Sequence, residues 1–179
     1  MSRQIPIGIA VMLGLSAIAI LGAGAAGLRI NPTDSMPRGL WRLISRHGPL
    51  HRGDIVIACL PDNPITQLAM RRGYFWHSHA CPSGIVPVVK PVVAVAGDIV
   101  RVTAAGIAVD GVPVPNSALL TRDSAGRKIT PVAPGTYHVR PGQMWLISNY
   151  NRRSFDSRYL GPVPVSGVQG LARPVWTFR

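Results

Sequence analysis

Lysine occurs only twice in this sequence, against seventeen arginines, and one of the two stands in an unusual place. Lys128 belongs to a polar turn, Ser-Ala-Gly-Arg-Lys. Lys90 lies inside the apolar run VPVVKPVVAV (residues 86–95), with no acidic residue within seven positions on either side. Burial disfavours an ammonium, so a lysine packed into such a strand gives up its proton below the usual value of about 10.4. A neutral lysine is a usable general base, a role arginine never fills because it stays protonated. The plainer alternative is an edge-strand lysine directed at solvent. The strand by itself leaves both open.

A base needs a nucleophile, and Ser35 is the serine of interest. It sits in NPTDSMPRGLW (residues 31–41), where Pro32, Pro37 and Gly39 restrict the backbone around it. Met36, Leu40 and Trp41 give it an apolar flank. Taken alone, the segment also reads as an ordinary polar turn. A third group is NRRSFDSRYLGPV (residues 151–163), which crowds Ser154, Asp156, Ser157 and Arg158 into one short loop. An Asp and an Arg two residues apart can brace a loop, and a serine beside them can aim a lysine. Alone it reads as a solvated turn.

Other chemistries find less support. The five histidines (His47, His51, His77, His79 and His138) stand among Gly, Arg and Ser, in expected loops or at strand edges. His77, His79 and Cys81 have no second ligand cluster to complete a metal site, so no metal is expected. No G-x-S-x-G nucleophile elbow occurs.

The elements that must position these residues are expected to be strands. Gly and Pro make up about a fifth of the 179 residues, and all seven acids are Asp, with no Glu. A helical surface relies on Glu, Lys and Ala, so this composition favours short strands and turns. Strands are expected over residues 52–60, 86–95, 98–102, 136–139, 143–148 and 168–178. Residues 106–114 alternate and carry Asp110–Gly111, a hairpin signal. One helix is expected over Ile65–Arg72, stopped by Gly73, inside an insertion loop spanning residues 61–84. The 47% apolar content excludes wholesale disorder, and the length allows one modest domain plus one accessory segment.

That accessory segment is residues 1–29. Gln4 to Leu28 is an uncharged stretch of 25 residues, long enough to span a bilayer. The rival reading is a cleaved secretory signal with a small-residue site at Ala23–Gly27. Either places residues 30–179 outside the cytoplasm. The net charge of +12 invites a nucleic-acid reading, but the arginines are scattered and no ladder of stacking aromatics appears. An exported domain beside anionic lipid also benefits from positive charge, so a bilayer, not nucleic acid, is the expected partner. Cys59 and Cys81 flank the insertion loop, and in an oxidising compartment the pair is expected to form a disulfide. Closing a loop of this size stabilises by roughly 3 kcal/mol. The alternative is two free thiols.

Read in order, S-M-P, R-G-D-I-V, K-P-V-V-A-V-A-G-D and S-x-D-S-R-x-x-G-x-V, placed after an apolar N-terminus, resemble the signal peptidase I family of Ser-Lys leader peptidases. The motifs cover most of residues 30–172. Within that family TDSMPRGLWR resembles the TraF-type peptidases of conjugative plasmids, which mature the mating-pair pilin. The resemblance implies an all-β domain of twisted antiparallel sheets at residues 30–179, behind one N-terminal transmembrane helix at residues 1–29. It implies Ser35 as nucleophile and Lys90 as general base. Thr33 and the Ser35 amide would form the oxyanion hole, with Ser154 orienting the lysine and Asp156 and Arg158 as a supporting ion pair. It implies no cofactor, a single-pass protein of the inner membrane with its catalytic domain in the periplasm, and a pilin precursor as substrate, hydrolysed or cyclised. An inactive assembly protein and a general leader peptidase are the alternatives. Two positions depart from the pattern. Pro91 stands where a basic residue commonly follows the lysine, and SNYN (residues 148–151) replaces a Gly-Asp-Asn-Arg start.

Overall fold

A computed structural model of the chain describes residues 26–178 and, before them, only Gly8, Met12 and Gly24. The expected membrane segment at residues 1–29 therefore lies almost wholly outside the described residues. Among those described, no helix is long and apolar enough to cross a membrane. Leu28 and Arg29, the last two residues of the expected segment 1–29, open the first strand.

The strands are β1 (Leu28–Asn31), β2 (Arg38–Ile44), β3 (Ile55–Ala58), β4 (Val88–Ala94), β5 (Ile99–Thr103), β6 (Gly106–Val109), β7 (Val112–Pro113), β8 (Gly135–His138), β9 (Gln143–Leu146), β10 (Val163–Pro164) and β11 (Val168–Phe178). Seven form one sheet in the order β1-β2-β11-β3-β4-β9-β10, and four form a second in the order β7-β6-β5-β8. All pairings are antiparallel. Within residues 26–178 two short α-helices accompany them, α1 (Pro64–Arg71) and α2 (Ser157–Leu160), so the architecture there is mostly β.

Local chemistry accounts for these elements. In β5, Val100 and Val102 are buried while Ile99, Arg101 and Thr103 are exposed, the alternation of a strand with one covered face. Asp110 and Gly111 both have positive φ, 47° and 82°, as a two-residue type I′ hairpin between β6 and β7 requires. Helix α1 starts at Asn63, whose side chain accepts from the Thr66 N–H, and has Pro64 in its first turn. Gly73, at φ 74°, follows its end.

The sheets meet through Val100, Val102, Ile107 and Val109 on one side and Ala94, Trp145 and Ile147 on the other. At the rim of this core Arg52, in the turn before β3, pairs with both Asp98 and Asp110 and links the smaller sheet to the larger. A second core joins Val56, Ala58, Val88, Val92, Met144 and Leu146 of the large sheet. A third, made of Met36, Trp41, Ile57, Val89 and Ala172, underlies the turn that carries Ser35. The residues between β3 and β4 bring α1 and Tyr74–Trp76 over one face, and Cys59 and Cys81 close their base as a disulfide, with Cα atoms 5.4 Å apart.

Gly39 shows how closely β2 and β11 approach. It has φ 132°, and a Cβ there would stand 2.2 Å from the Trp176 carbonyl oxygen. We expect Gly39→Ala to lose at least about 3 kcal/mol in a denaturant melt. Gly142→Ala, also at positive φ but facing open space, is expected to lose only about 1 kcal/mol.

Candidate active site

Lys90 is the third residue of β4, opposite Val56 of β3. Strand alternation puts it on the same face as Val88 and Val92, so the side chain enters an apolar core and is only 3% exposed. The solvent-facing alternative is thereby excluded. Burial pushes its pKa down to about 8; the negative charge of Asp156 pulls it up and the positive charge of Arg158 pushes it down, both less strongly. Its Nζ donates to the Ser154 hydroxyl at 2.5 Å.

Pro91 is tolerated in this central strand for a geometric reason. Gly53 donates to the Val92 carbonyl and the Val92 N–H donates to Asp54, so the even-numbered residues of this stretch face β3. Pro91 therefore faces the other way, where its carbonyl accepts from the Ile147 N–H and no donor is called for. The ladder with β9 begins only at Val92. Beside Val88–Lys90 the far edge of β4 is consequently open, and the N–H and carbonyl of Val89 point into that gap.

The turn around Ser35 is organised by a residue that the sequence reading passed over. Asn31 is buried, and its Nδ2 donates to the carbonyls of Thr33, Met36 and Pro37, each at 3.1 Å. Three carbonyls around the nitrogen leave the amide no alternative orientation. Its Oδ1 accepts from the Thr33 N–H at 3.3 Å and from the Thr33 hydroxyl at 2.9 Å. The one Thr33 hydroxyl proton is thus committed to Asn31, so at 3.0 Å the Ser35 hydroxyl donates to Thr33. The Ser35 N–H has no partner among the described residues. Asn31 carries no periodic or motif signal beyond its place four residues before Ser35.

Residues 148–158 supply the third side. Asp156 caps α2 by accepting from the Arg158 N–H, and it also accepts from the Ser148 N–H at 3.0 Å. Arg158 is fully buried and places all five donors: two on Asp156, and the others on the carbonyls of Asn116, Arg152 and Asn151. An ion pair so buried persists because every donor is matched. It holds the loop that presents Ser154 to Lys90. In the SNYN departure, Ser148 takes part: its hydroxyl donates to the carbonyl of Ser35.

Ser35, Thr33, Lys90 and Ser154 all line one cleft of about 570 Å³. Its floor and walls include Val86, Val88, Ile129 and the stacked pair Phe155 and Tyr159. Tyr74 and Phe75, between α1 and β4, pack on Phe155 and form the remaining wall. Tyr74 donates to Asp123, which also binds Arg127, and these contacts hold the wall against residues 122–128. Ser35 and Lys90 share the cleft without a hydrogen bond between them: one is paired with Thr33, the other with Ser154. Asp156 and Arg158 stand behind the cleft lining. Cys59 and Cys81, joined to each other, are outside it. No group of three metal-ligating side chains is assembled among the described residues.

A mostly β domain that holds a buried lysine and a turn-borne serine in one cleft is the class of architecture that the four motifs imply. The family model described as signal peptidase, peptidase S26 matches residues 3–177, and the chain belongs to that family. It is similar to the conjugal transfer protein TraF of Agrobacterium fabrum, with 43% identity over 93% of this chain and 94% of the relative. It is similar also to the probable conjugal transfer protein TraF of Sinorhizobium fredii, with 41% identity over 98% of this chain and 91% of the relative. A plasmid transfer protein TraF of Escherichia coli is 36% identical over 89% of this chain and 90% of its own. A crystal structure of a signal peptidase I from Enterococcus faecalis aligns with 69% of this chain and 97% of its own, at 19% identity and a TM-score of 0.37.

Asn31 invites a direct test. Asn31→Leu removes five hydrogen bonds and strands three carbonyls in a buried turn, so we expect a loss of about 2–4 kcal/mol in a urea melt. Retention of full stability would contradict the account of the turn.

Proposed function

We propose that this protein is a membrane-anchored serine endopeptidase with a Ser35–Lys90 dyad, and that it processes an exported precursor, a conjugative pilin. The observation that carries the reading is a fully enclosed lysine with a lowered pKa, held by Ser154 in the cleft that Ser35 also lines. A lysine is kept in an apolar core at a cost, and a general base is the role that its lowered pKa serves. The family and the conjugal transfer relatives support the same conclusion. The uncharged stretch Gln4–Leu28 supports an anchor, and the Cys59–Cys81 disulfide fits an oxidising periplasm.

The reaction follows from the groups in the cleft. An extended substrate pairs its backbone with the open edge of β4 at Val89. Small side chains before the cut fit between the aromatic wall and the strand, so Ala-x-Ala-like sites are favoured. Neutral Lys90 takes the Ser35 proton as Oγ bonds to the scissile carbonyl carbon. The Ser35 N–H meets the oxyanion, and the Thr33 hydroxyl joins it by turning from Asn31 to the substrate. A donor of this kind is worth about 3 kcal/mol. The proton on Lys90 then passes to the leaving amine, and an ester to Ser35 remains. Water resolves the ester into a linear product; the pilin's own amine, attacking intramolecularly, closes a ring. The two products differ in mass by one water.

Three results are expected. Mass spectrometry of a pilin precursor expressed with the wild-type protein shows a matured product, and Ser35→Ala abolishes it; maturation undiminished in that variant would exclude the peptidase. Lys90→Arg is as inactive as Lys90→Ala, because a guanidinium holds its proton. In the wild type, kcat/KM rises as pH rises through about 8, as Lys90 loses its proton. A rate that is flat from pH 6 to 10 would mean that Lys90 is not the base.

A further inference from the structure

Ser148 stands at the start of the segment that departs from the family pattern, where a glycine is usual and no side chain is available. Its surroundings determine the direction of each of its hydrogen bonds. The hydroxyl oxygen accepts from the N–H groups of Tyr150 at 3.2 Å and Asn151 at 3.1 Å. Its single proton is left for the carbonyl of Ser35, which can only accept. The Ser148 N–H is fixed in turn by Asp156 at 3.0 Å. The residue is fully buried, so water does not compete for any of these bonds.

We propose that Ser148 is a positioning residue that ties the main chain of the nucleophile to the loop that orients the base. The connection is short and continuous. Ser35 is held through its carbonyl by Ser148, Ser148 through its N–H by Asp156, and Asp156 by Arg158. The same loop carries Ser154, which holds Lys90. The two reacting side chains lie 55 residues apart in sequence and are otherwise set by different strands. Without Ser148, their separation is left to the sheet contacts and to the apolar cluster of Met36, Ile57 and Val89 beneath the turn. A displacement of about 1 Å in such a pair can slow the chemistry by up to about a hundredfold while leaving binding intact.

The inference rests on the peptidase reading, and the test separates the two. Full-length wild type, Ser148→Ala, Ser148→Thr and Ser35→Ala are compared in detergent micelles, using a quenched peptide with Ala-Gln-Ala before the scissile bond. We expect Ser148→Ala to lower kcat about 10- to 100-fold, with KM within about threefold and the base limb of the pH profile unmoved. Ser148→Thr, which keeps the hydroxyl, is expected to recover kcat to within about fivefold of the wild type. Ser148→Gly, which restores the usual family residue, should lose as much kcat as the alanine variant and replaces it in the comparison if the alanine variant does not fold. Wild-type kcat in the folded alanine or glycine variant overturns the proposal. So does a loss confined to KM, or a folded threonine variant as slow as the alanine one. Cleavage by wild type and none by Ser35→Ala alongside any of those results removes Ser148 and leaves the peptidase standing. A wild type no more active than Ser35→Ala takes down both.

Discussion

A lysine enclosed by valines has to be matched by something polar, or the chain folds so as to avoid it. Here the match is a single hydrogen bond from Nζ to Ser154, and much of the domain is arranged to keep that serine in place. Ser154 stands on a loop that would be solvated if left alone. Burying Arg158 with all five donors filled converts that loop into a rigid support. The loop's Asp156 then reaches the main chain beside β9, and Ser157 accepts from the Leu146 N–H within it. The buried ion pair and the lowered lysine pKa are thus two consequences of one packing decision.

Around that support the two sheets divide the work. The large sheet contributes both residues of the proposed dyad, Ser35 from the turn entering β2 and Lys90 from β4. The small sheet touches neither. It covers Ala94, Trp145 and Ile147, and so makes the far side of β4 and β9 dry. The segment between β3 and β4 closes the cleft from a third direction, fastened at its base by the Cys59–Cys81 disulfide and at its tip by Tyr74 on Asp123. Hydrogen bonds hold the Asp123 carboxyl well below the usual carboxylate range, that from the Tyr74 hydroxyl contributing most, with others from Arg127 and Ala125. That interaction therefore persists across the pH range in which Lys90 titrates.

The hydrogen bonds of the cleft engage its serine and its lysine separately. Ser35 gives its proton to Thr33, and Lys90 gives one of its own to Ser154, so the two are near one another yet engaged elsewhere. In the proposed reaction Thr33 turns its own proton from Asn31 to the oxyanion, while its oxygen accepts from Ser35 until Lys90 takes that proton.

Much of this was readable from the residues themselves. Short apolar runs beside turn residues located the strands from β3 to β9, with alternation at residues 106–114, and β11 runs over the residues expected for it, because these are local signals of the chain. Asp110–Gly111 announced its hairpin, and the lysine in an apolar run stood out as a residue to account for. Strands β1 and β2 gave less warning: Leu28 and Arg29 sit at the end of an apolar stretch, and RGLWRLI has the charge of a surface segment. What the chain alone left undecided were the meetings between distant residues. Whether Lys90 faced core or solvent depended on which side of β4 the Val56 cluster lies. Whether NRRSFDSR was a solvated turn or a support depended on carbonyls at Asn116, Asn151 and Arg152 arriving together around Arg158. Asn31 and Ser148 are polar residues of ordinary appearance, and only the folded chain gives them partners, because a hydrogen-bond network is a property of positions and not of composition.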